Sequence, residues 1–255
     1  MSNGAKRQAW LGSGAVFAAF IALWWAASHA GWISRVFLPT PEATLASLQE
    51  GLASGGELIA FMLATTARML QGWLLASLIG VALGALIGIS PTVRATLQPT
   101  LEFVRPLPAS ALLPLAIAMF GLSPGMVLFV VAFGALWPVL LATVHGFAAV
   151  EPRLVEVAHC LQLSRAAFVW KIGLPNALPD ILAGMRLSMT VSLIVAVVGE
   201  MIASQPGLGQ AILLAARAFR ASELFAGIVL LGVIGFVSNA LLSLAERKLL
   251  NWQSP

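Results

Sequence analysis

Long apolar runs alternate with short polar ones along most of this chain. Runs of about 20 residues, enough to cross roughly 30 Å of hydrocarbon as helix, lie at Leu11–Ala30, Gly72–Ile89, Leu97–Phe120, Met126–Phe147, Ile181–Ala203 and Leu224–Leu244. The pattern predicts six spans. In the third, Arg105, Pro106, Pro108 and Pro114 interrupt the run. Each proline removes a backbone donor that lipid cannot replace, so a kinked or broken helix facing protein or water is expected there. Two shorter stretches carry a helical period without the length to span. Thr40 can cap a helix that Pro41 opens and whose first turn suits Glu42, with Leu45, Leu48 and Leu52 on one face. Such a helix lies flat on the outer surface or packs over the bundle. Between Glu151 and Pro175, Pro152 starts a helix with Leu154, Val157, Ala158 and Leu161 on its apolar side, and Ser164 caps a second containing Phe168, Val169, Trp170 and Ile172. The first is only about 15 Å long, too short to span and too apolar for a free linker.

Composition turns these runs into membrane spans rather than buried core. Only 9% of the 255 residues are charged, against about 25% in an ordinary globular domain, and the mean hydropathy is +0.95. With the Glu151–Pro175 loop in the cytoplasm and six alternating spans, Lys6, Arg7, Arg94, Arg105, Arg153, Arg165, Lys171, Arg247 and Lys248 fall inside or at the inner boundary, and Arg35, Arg68, Arg217 and Arg220 outside. Arg186, near the inner end of the fifth span, snorkels inward. Nine cations against four obey the positive-inside rule and place both termini in the cytoplasm. The net charge of +4 is mostly orientation signal; no soluble basic domain carries a nucleic-acid reading. The lone Cys160 offers no disulfide.

Residues 1–30 read as an anchor helix. Lys6 and Arg7 before an apolar run ending Ser28-His29-Ala30 resemble a signal peptide, but Trp24 and Trp25 are bulky where a cleavage region wants small residues. His29 beside Trp32 belongs to the membrane interface. Residues 31–58 form an external segment with its surface helix, and residues 59–255 a core of five spans with a polar loop at 148–178. In the second span Gly72, Ala76, Gly80, Gly84 and Gly88 recur every four residues. One stripe of that helix is almost bare of side chains, so another backbone can approach closely; static packing and a sliding contact both use such a stripe.

The polar loop carries a family pattern. ABC importer permeases have an EAA loop: Glu-Ala-Ala, three residues, Gly, nine residues, Ile, one residue, Leu-Pro. This chain has Glu156-Val157-Ala158, then Gln162, then Ile172-Gly173-Leu174-Pro175, with every spacing kept. Val157 replaces an alanine and Gln162 the glycine. Glycine after a short helix supplies a left-handed residue, which glutamine adopts only at a cost of about 1 kcal/mol, so either the turn is built differently or it is strained. The resemblance runs from roughly Phe37 to Trp252. Phe37-Leu38-Pro39-Thr40-Pro41, Arg105-Pro106-Leu107-Pro108, Glu200-Met201-Ile202, Gly207-Leu208-Gly209 and Leu244-Ala245-Glu246-Arg247 look like the branch serving aliphatic sulfonates, taurine and nitrate. That branch also includes systems for thiamine precursors and other small organic solutes.

The resemblance implies an all-α integral membrane protein, the six-helix MetI-like permease of a type I importer in the bacterial inner membrane. It implies two copies of this subunit, a cytoplasmic ABC ATPase and a periplasmic or lipid-anchored solute-binding protein. It also implies that the loop residues Glu156, Val157, Ala158, Gln162, Ile172, Leu174 and Pro175 couple the permease to the ATPase. The chain has no Gly-x-x-x-x-Gly-Lys-Ser/Thr phosphate loop, so ATP and Mg belong to the partner and no cofactor, metal site or catalytic residue is expected here. Gly72, Gly80, Gly84 and Gly88 are the packing candidates. Glu200, an intramembrane acid near the outer end of the fifth span, suits a structural role accepting bonds from amides near Gly207–Gly209, since a carboxylate is a poor ligand for an anion. Arg217 and Arg220, before the last span, suit a binding protein, an anion or simple interface anchoring. The rival classes are poorly served: His29, His145 and His159 are scattered, as enzyme chemistry would not want, and neither midplane carboxylates nor repeats mark a secondary transporter.

Overall fold

The computed structural model describes residues 3–31, 33–53 and 55–251; Trp32 and Trp252, named above, lie outside them. The described residues fold into helices alone: α1 (Asn3–His29), α2 (Pro41–Leu52), α3 (Leu58–Ile89), α4 (Pro91–Val104), α5 (Leu113–Phe120), α6 (Pro124–Ala148), α7 (Pro152–Cys160), α8 (Arg165–Phe168), α9 (Leu174–Ala203), α10 (Leu208–Arg217) and α11 (Ala221–Leu249). They group into two compact units, residues 1–62 with 211–231 and residues 63–210 with 232–255.

Four stretches are long and apolar enough to cross a membrane: α3, α6, the 39-residue run Arg165–Ala203, and α11. A fifth span is possible if α4 and the Ala109–Phe120 segment, bent by 81° at the intervening break, count as one. Among the described residues four or five such spans are found; the Leu11–Ala30 run is helical in α1 as far as His29 and is not among them. The broken third span is as the prolines foretold. Pro108 precedes a single 3₁₀ turn, Ala109–Leu112, and Pro114 sits in the first turn of α5, where no intrahelical donor is missed. Arg105 is the C-cap residue of α4, at the break itself.

In the first unit, Thr40 Oγ1 accepts from the Ala43 N–H at 3.2 Å and Pro41 opens α2, as its sequence required. Its own backbone N–H holds the Glu42 carboxyl below the usual carboxylate range, helped by Thr40 and by the Trp25 indole. Trp24 Nε1 donates to the Pro39 carbonyl at 2.9 Å, and Trp25 stacks on His29. The buried stripe of α2 is not the leucine face: Thr44 is buried and Leu48 and Leu52 half-buried, while Leu45 is 54% exposed. Thr44 Oγ1 donates to the Thr40 carbonyl, which satisfies its buried hydroxyl.

The second unit is organised around α6. The bare stripe of α3 lies along it, Gly80, Gly84 and Gly88 meeting Val139, Thr143 and Phe147, so a step of four on one helix is matched by a step of four on the other. The two helices run parallel. On its other side α6 receives α9 antiparallel, with Gly146 against Ala177, Gly184 against Ala142 and Gly199 against Val127. Ser188 Oγ donates to the Ala135 carbonyl at 2.6 Å and Trp73 Nε1 to the Met185 carbonyl at 2.9 Å, satisfying polar groups that lipid would leave bare. Arg186 does not snorkel alone: its guanidinium pairs with Glu246 of α11. Outward-facing Leu78, Leu187, Ile194 and Phe236 are exposed, a surface suited to hydrocarbon.

A Cβ placed on Gly84 would lie 2.6 Å from the Thr143 Cβ and 2.8 Å from the Leu140 carbonyl oxygen. Gly84→Leu is expected to destabilise the protein by on the order of 3 kcal/mol, the upper end for an overpacked core. Thermal unfolding in nanodiscs measures it, and an unchanged midpoint would mean that α3 and α6 do not meet along this stripe.

Candidate functional site

At the end of α6 the chain turns through Ala149 and Val150 into α7, which Pro152 opens. The short helix presents two different faces. Ala158 is buried and Val155 half-buried, turned toward the bundle, whereas Leu154, Val157 and Leu161 are 40%, 49% and 66% exposed. The exposed three are spaced i, i+3, i+7, one apolar stripe with no cover from its own chain. Glu156 is exposed beside it. A cavity of about 580 Å³, reached by Arg94, His159 and Arg165, separates α7 from the α3–α4 turn.

The turn after α7 answers the question raised by Gln162. Its φ is +49°, in the left-handed region, its N–H reaches the His159 carbonyl and the Leu163 N–H reaches the Ala158 carbonyl, both at 3.0 Å. These are the two bonds of a Schellman ending. The turn is thus built as a glycine would build it and carries the cost of a side chain at that position. Ser164 Oγ then caps α8 by accepting from the Ala167 N–H at 3.2 Å. The second helix expected after Ser164 is present but does not end within the loop: α8 passes through a π-helical turn, Val169–Gly173, directly into α9. Gly173 is buried against the Phe147 ring, and Ile172 and Leu174 are half-buried, Leu174 in the cluster of Phe147, Ala177 and Ile181, while Pro175 is exposed. Asn176 Nδ2 donates to the Gly146 carbonyl at 3.0 Å. The C-terminal end of the loop is thereby tied to the end of α6.

At the far end of α9, Glu200 is fully buried. Its Oε2 accepts from the Gly209 N–H and from Thr65 Oγ1, each at 2.9 Å, and its Oε1 from Arg68 Nη1 at 2.6 Å. Thr65 Oγ1 also accepts from the Leu208 N–H, and Arg68 donates to the Pro206 carbonyl. The Gly209 amide is the expected partner; Gly207 contributes space, since any Cβ there would run into the Glu200 carboxyl. Thr65 and Arg68 were not foreseen. The apolar run counted from Gly72 leaves Arg68 before the span; α3 begins at Leu58, so the same helix carries Thr65 and Arg68 to Glu200. Of the remaining candidates, Arg220 pairs with Glu223 at 2.9 Å on an exposed surface, a contact worth little. Arg217 closes α10, where a cation complements the helix dipole.

A bundle of apolar helices long enough to cross a membrane, joined by a loop that keeps the EAA spacing, is the architecture of a transport permease. The family model described as binding-protein-dependent transport system inner membrane component matches residues 76–251, and the chain belongs to that family. It is similar to the putative aliphatic sulfonates transport permease SsuC of Bacillus subtilis, 34% identical over 98% of this chain and 91% of that protein. The taurine transport permease TauC of Escherichia coli is 31% identical over 97% and 91%, and the nitrate import permease NrtB of Leptolyngbya laminosa 33% identical over 70% and 64%. The chain is a multi-pass membrane permease of an ABC importer, a transport component and not an enzyme.

Arg68 is only 16% exposed on its side chain and depends on Glu200 for its counter-charge. Glu200→Ala should therefore cost about 3–5 kcal/mol, the usual result of removing one partner of a buried pair. Differential scanning fluorimetry in detergent reads the loss, and wild-type melting of the variant would mean that this network does not hold the α3–α9 contact.

Proposed function

We infer that the stripe on α7 docks into a cytoplasmic ATPase. The observation that carries this reading is the uncovered apolar row Leu154, Val157 and Leu161 on a short helix between the end of α6 and the start of α8. An apolar row on such a helix is what a groove of a partner recognises, and the retained EAA spacing of Glu156, Val157, Ala158, Gln162, Ile172, Leu174 and Pro175 points to an ABC ATPase as that partner. Two copies of this chain and two ATPase subunits form the transporter in the inner membrane, with both termini cytoplasmic. A periplasmic or lipid-anchored binding protein delivers the solute. ATP and Mg sit in the ATPase pair, whose closure draws the two α7 helices together and, through α6 and α9, turns the bundles from inward-open to outward-open. This is alternating access biased by the difference in ATP affinity between two states. The relatives named for sulfonates, taurine and nitrate support a small anion as the solute; a thiamine-precursor-like solute is the alternative within the branch.

Glu156→Lys, and separately Val157→Asp, should leave the subunit inserted in the membrane and lower ATPase-coupled uptake at least about 10-fold, since a charge reversal or a buried charge at a docking helix costs several kcal/mol. Normal assembly and uptake by both variants would remove the docking assignment.

The purified chain should hydrolyse no ATP, and the reconstituted complex should hydrolyse faster when the loaded binding protein is added. Linkage requires it: a protein that prefers the outward-open form also favours the closed ATPase pair that accompanies that form. Uptake in vesicles with no ATPase present would instead point to a secondary transporter.

A further inference from the structure

The break between α4 and α5 leaves a cavity of about 410 Å³ in the second unit, within the usual range of roughly 300–1,000 Å³ for small-molecule sites. Its walls are apolar, with Leu113, Val130, Val191 and Val195 among them. Three side chains bring polar groups. Arg105, at the break, and Ser110, in the 3₁₀ turn that follows it, make no side-chain hydrogen bond or ion pair among the described residues. Trp137, from the middle of α6, has its indole N–H buried without an acceptor. No carboxylate lines the cavity.

Arg105 and Ser110 are exposed, so their donors are free to meet a molecule in the cavity; a cation beside apolar walls with no carboxylate among them suits an anion, and an orphaned indole N–H asks for the same thing, an acceptor. The guanidinium offers five donors in a planar fork, to which the hydroxyl and the indole add one each. A head with three oxygens meets such a set better than one with two. The walls favour a short apolar tail over a bare inorganic ion.

We propose that this cavity is a resting station for a small organosulfonate inside the permease, with the sulfonate oxygens on Arg105, Ser110 and Trp137 and the carbon chain against Val130, Val191 and Val195. The assignment rests on the importer reading and adds to it: the permease itself reads the solute, through a cationic group met at the broken helix after the binding protein has released it.

The test is equilibrium binding of radiolabelled ethanesulfonate to the full chain in nanodiscs, with dimethyl sulfone as a competitor that keeps sulfonyl oxygens and lacks the charge. Saturable binding is expected that dimethyl sulfone does not displace. Arg105→Gln should weaken it about 10-fold or more, and Trp137→Phe and Ser110→Ala about 2- to 10-fold each, the ranges for charged and neutral hydrogen bonds. Arg105→Lys, keeping the charge, should recover part of the loss. If Arg105→Gln does not elute as a folded particle, Trp137→Phe and Ser110→Ala decide. Absence of saturable binding, indifference to these variants, or equal displacement by dimethyl sulfone each overturns the station. Stimulation of the reconstituted ATPase by the binding protein is scored separately, so a failed importer reading and a failed station give different results.

Discussion

Everything in the second unit depends on how closely two helices can approach α6. Lipid tails are as apolar as leucine side chains, so helices in a bilayer gain little from hiding hydrophobic surface against each other and must gain it from dispersion at close range. Glycines on α3 and on both α6 and α9 bring backbones to that range on two sides of α6. Three of the polar bonds that cross between helices, from Trp73, Ser188 and Asn176, end on backbone carbonyls. Such bonds can form only where backbones are already near.

The same rod serves two ends. The run Arg165–Ala203 is continuous helix through its π turn, on the order of 58 Å long at 1.5 Å per residue. Near its start Leu174 and Asn176 meet the end of α6; near its finish it carries Glu200, held by Thr65, Arg68 and the Gly209 amide. The π turn and Pro179 both lie in its first half, where such features let a helix bend, and the half that carries Glu200 holds no proline.

Much of this was legible from residues. Hydropathy marks α3, α6, α9 and α11, because lipid tolerates few alternatives to twenty apolar residues in helix, and prolines mark the broken span. The Glu200–Gly209 bond follows from a buried acid next to a glycine-rich turn. What was hidden depends on tertiary context. The extension of α3 back to Leu58 brings in Thr65 and Arg68, which precede the apolar run counted from Gly72 and whose meeting with Glu200 only the fold displays. Helix α10 was missed since Gly207-Leu208-Gly209 looks like loop, although Leu208, Ile212 and Ala215 form a buried face behind it. The π turn that joins α8 to α9 has no signature of its own, and the left-handed Gln162 contradicts local preference outright, enforced by two backbone bonds that a sequence does not display.

The four-residue rhythm shared by α3 and α6 has a cost in specificity. A strip of near-identical small residues is self-similar, so displacing one helix by a single turn lays glycine on much the same neighbours and offers almost no penalty of its own. Alignment along such a strip is degenerate, like a ruler without numerals. The numerals are supplied by features that do not repeat: the indole of Trp73 bonded to one carbonyl on α9, and the bulk of Phe147 seated over Gly88 and Gly173. Those two aromatic residues, one toward each end of the strip, are what single out one alignment from its equivalents.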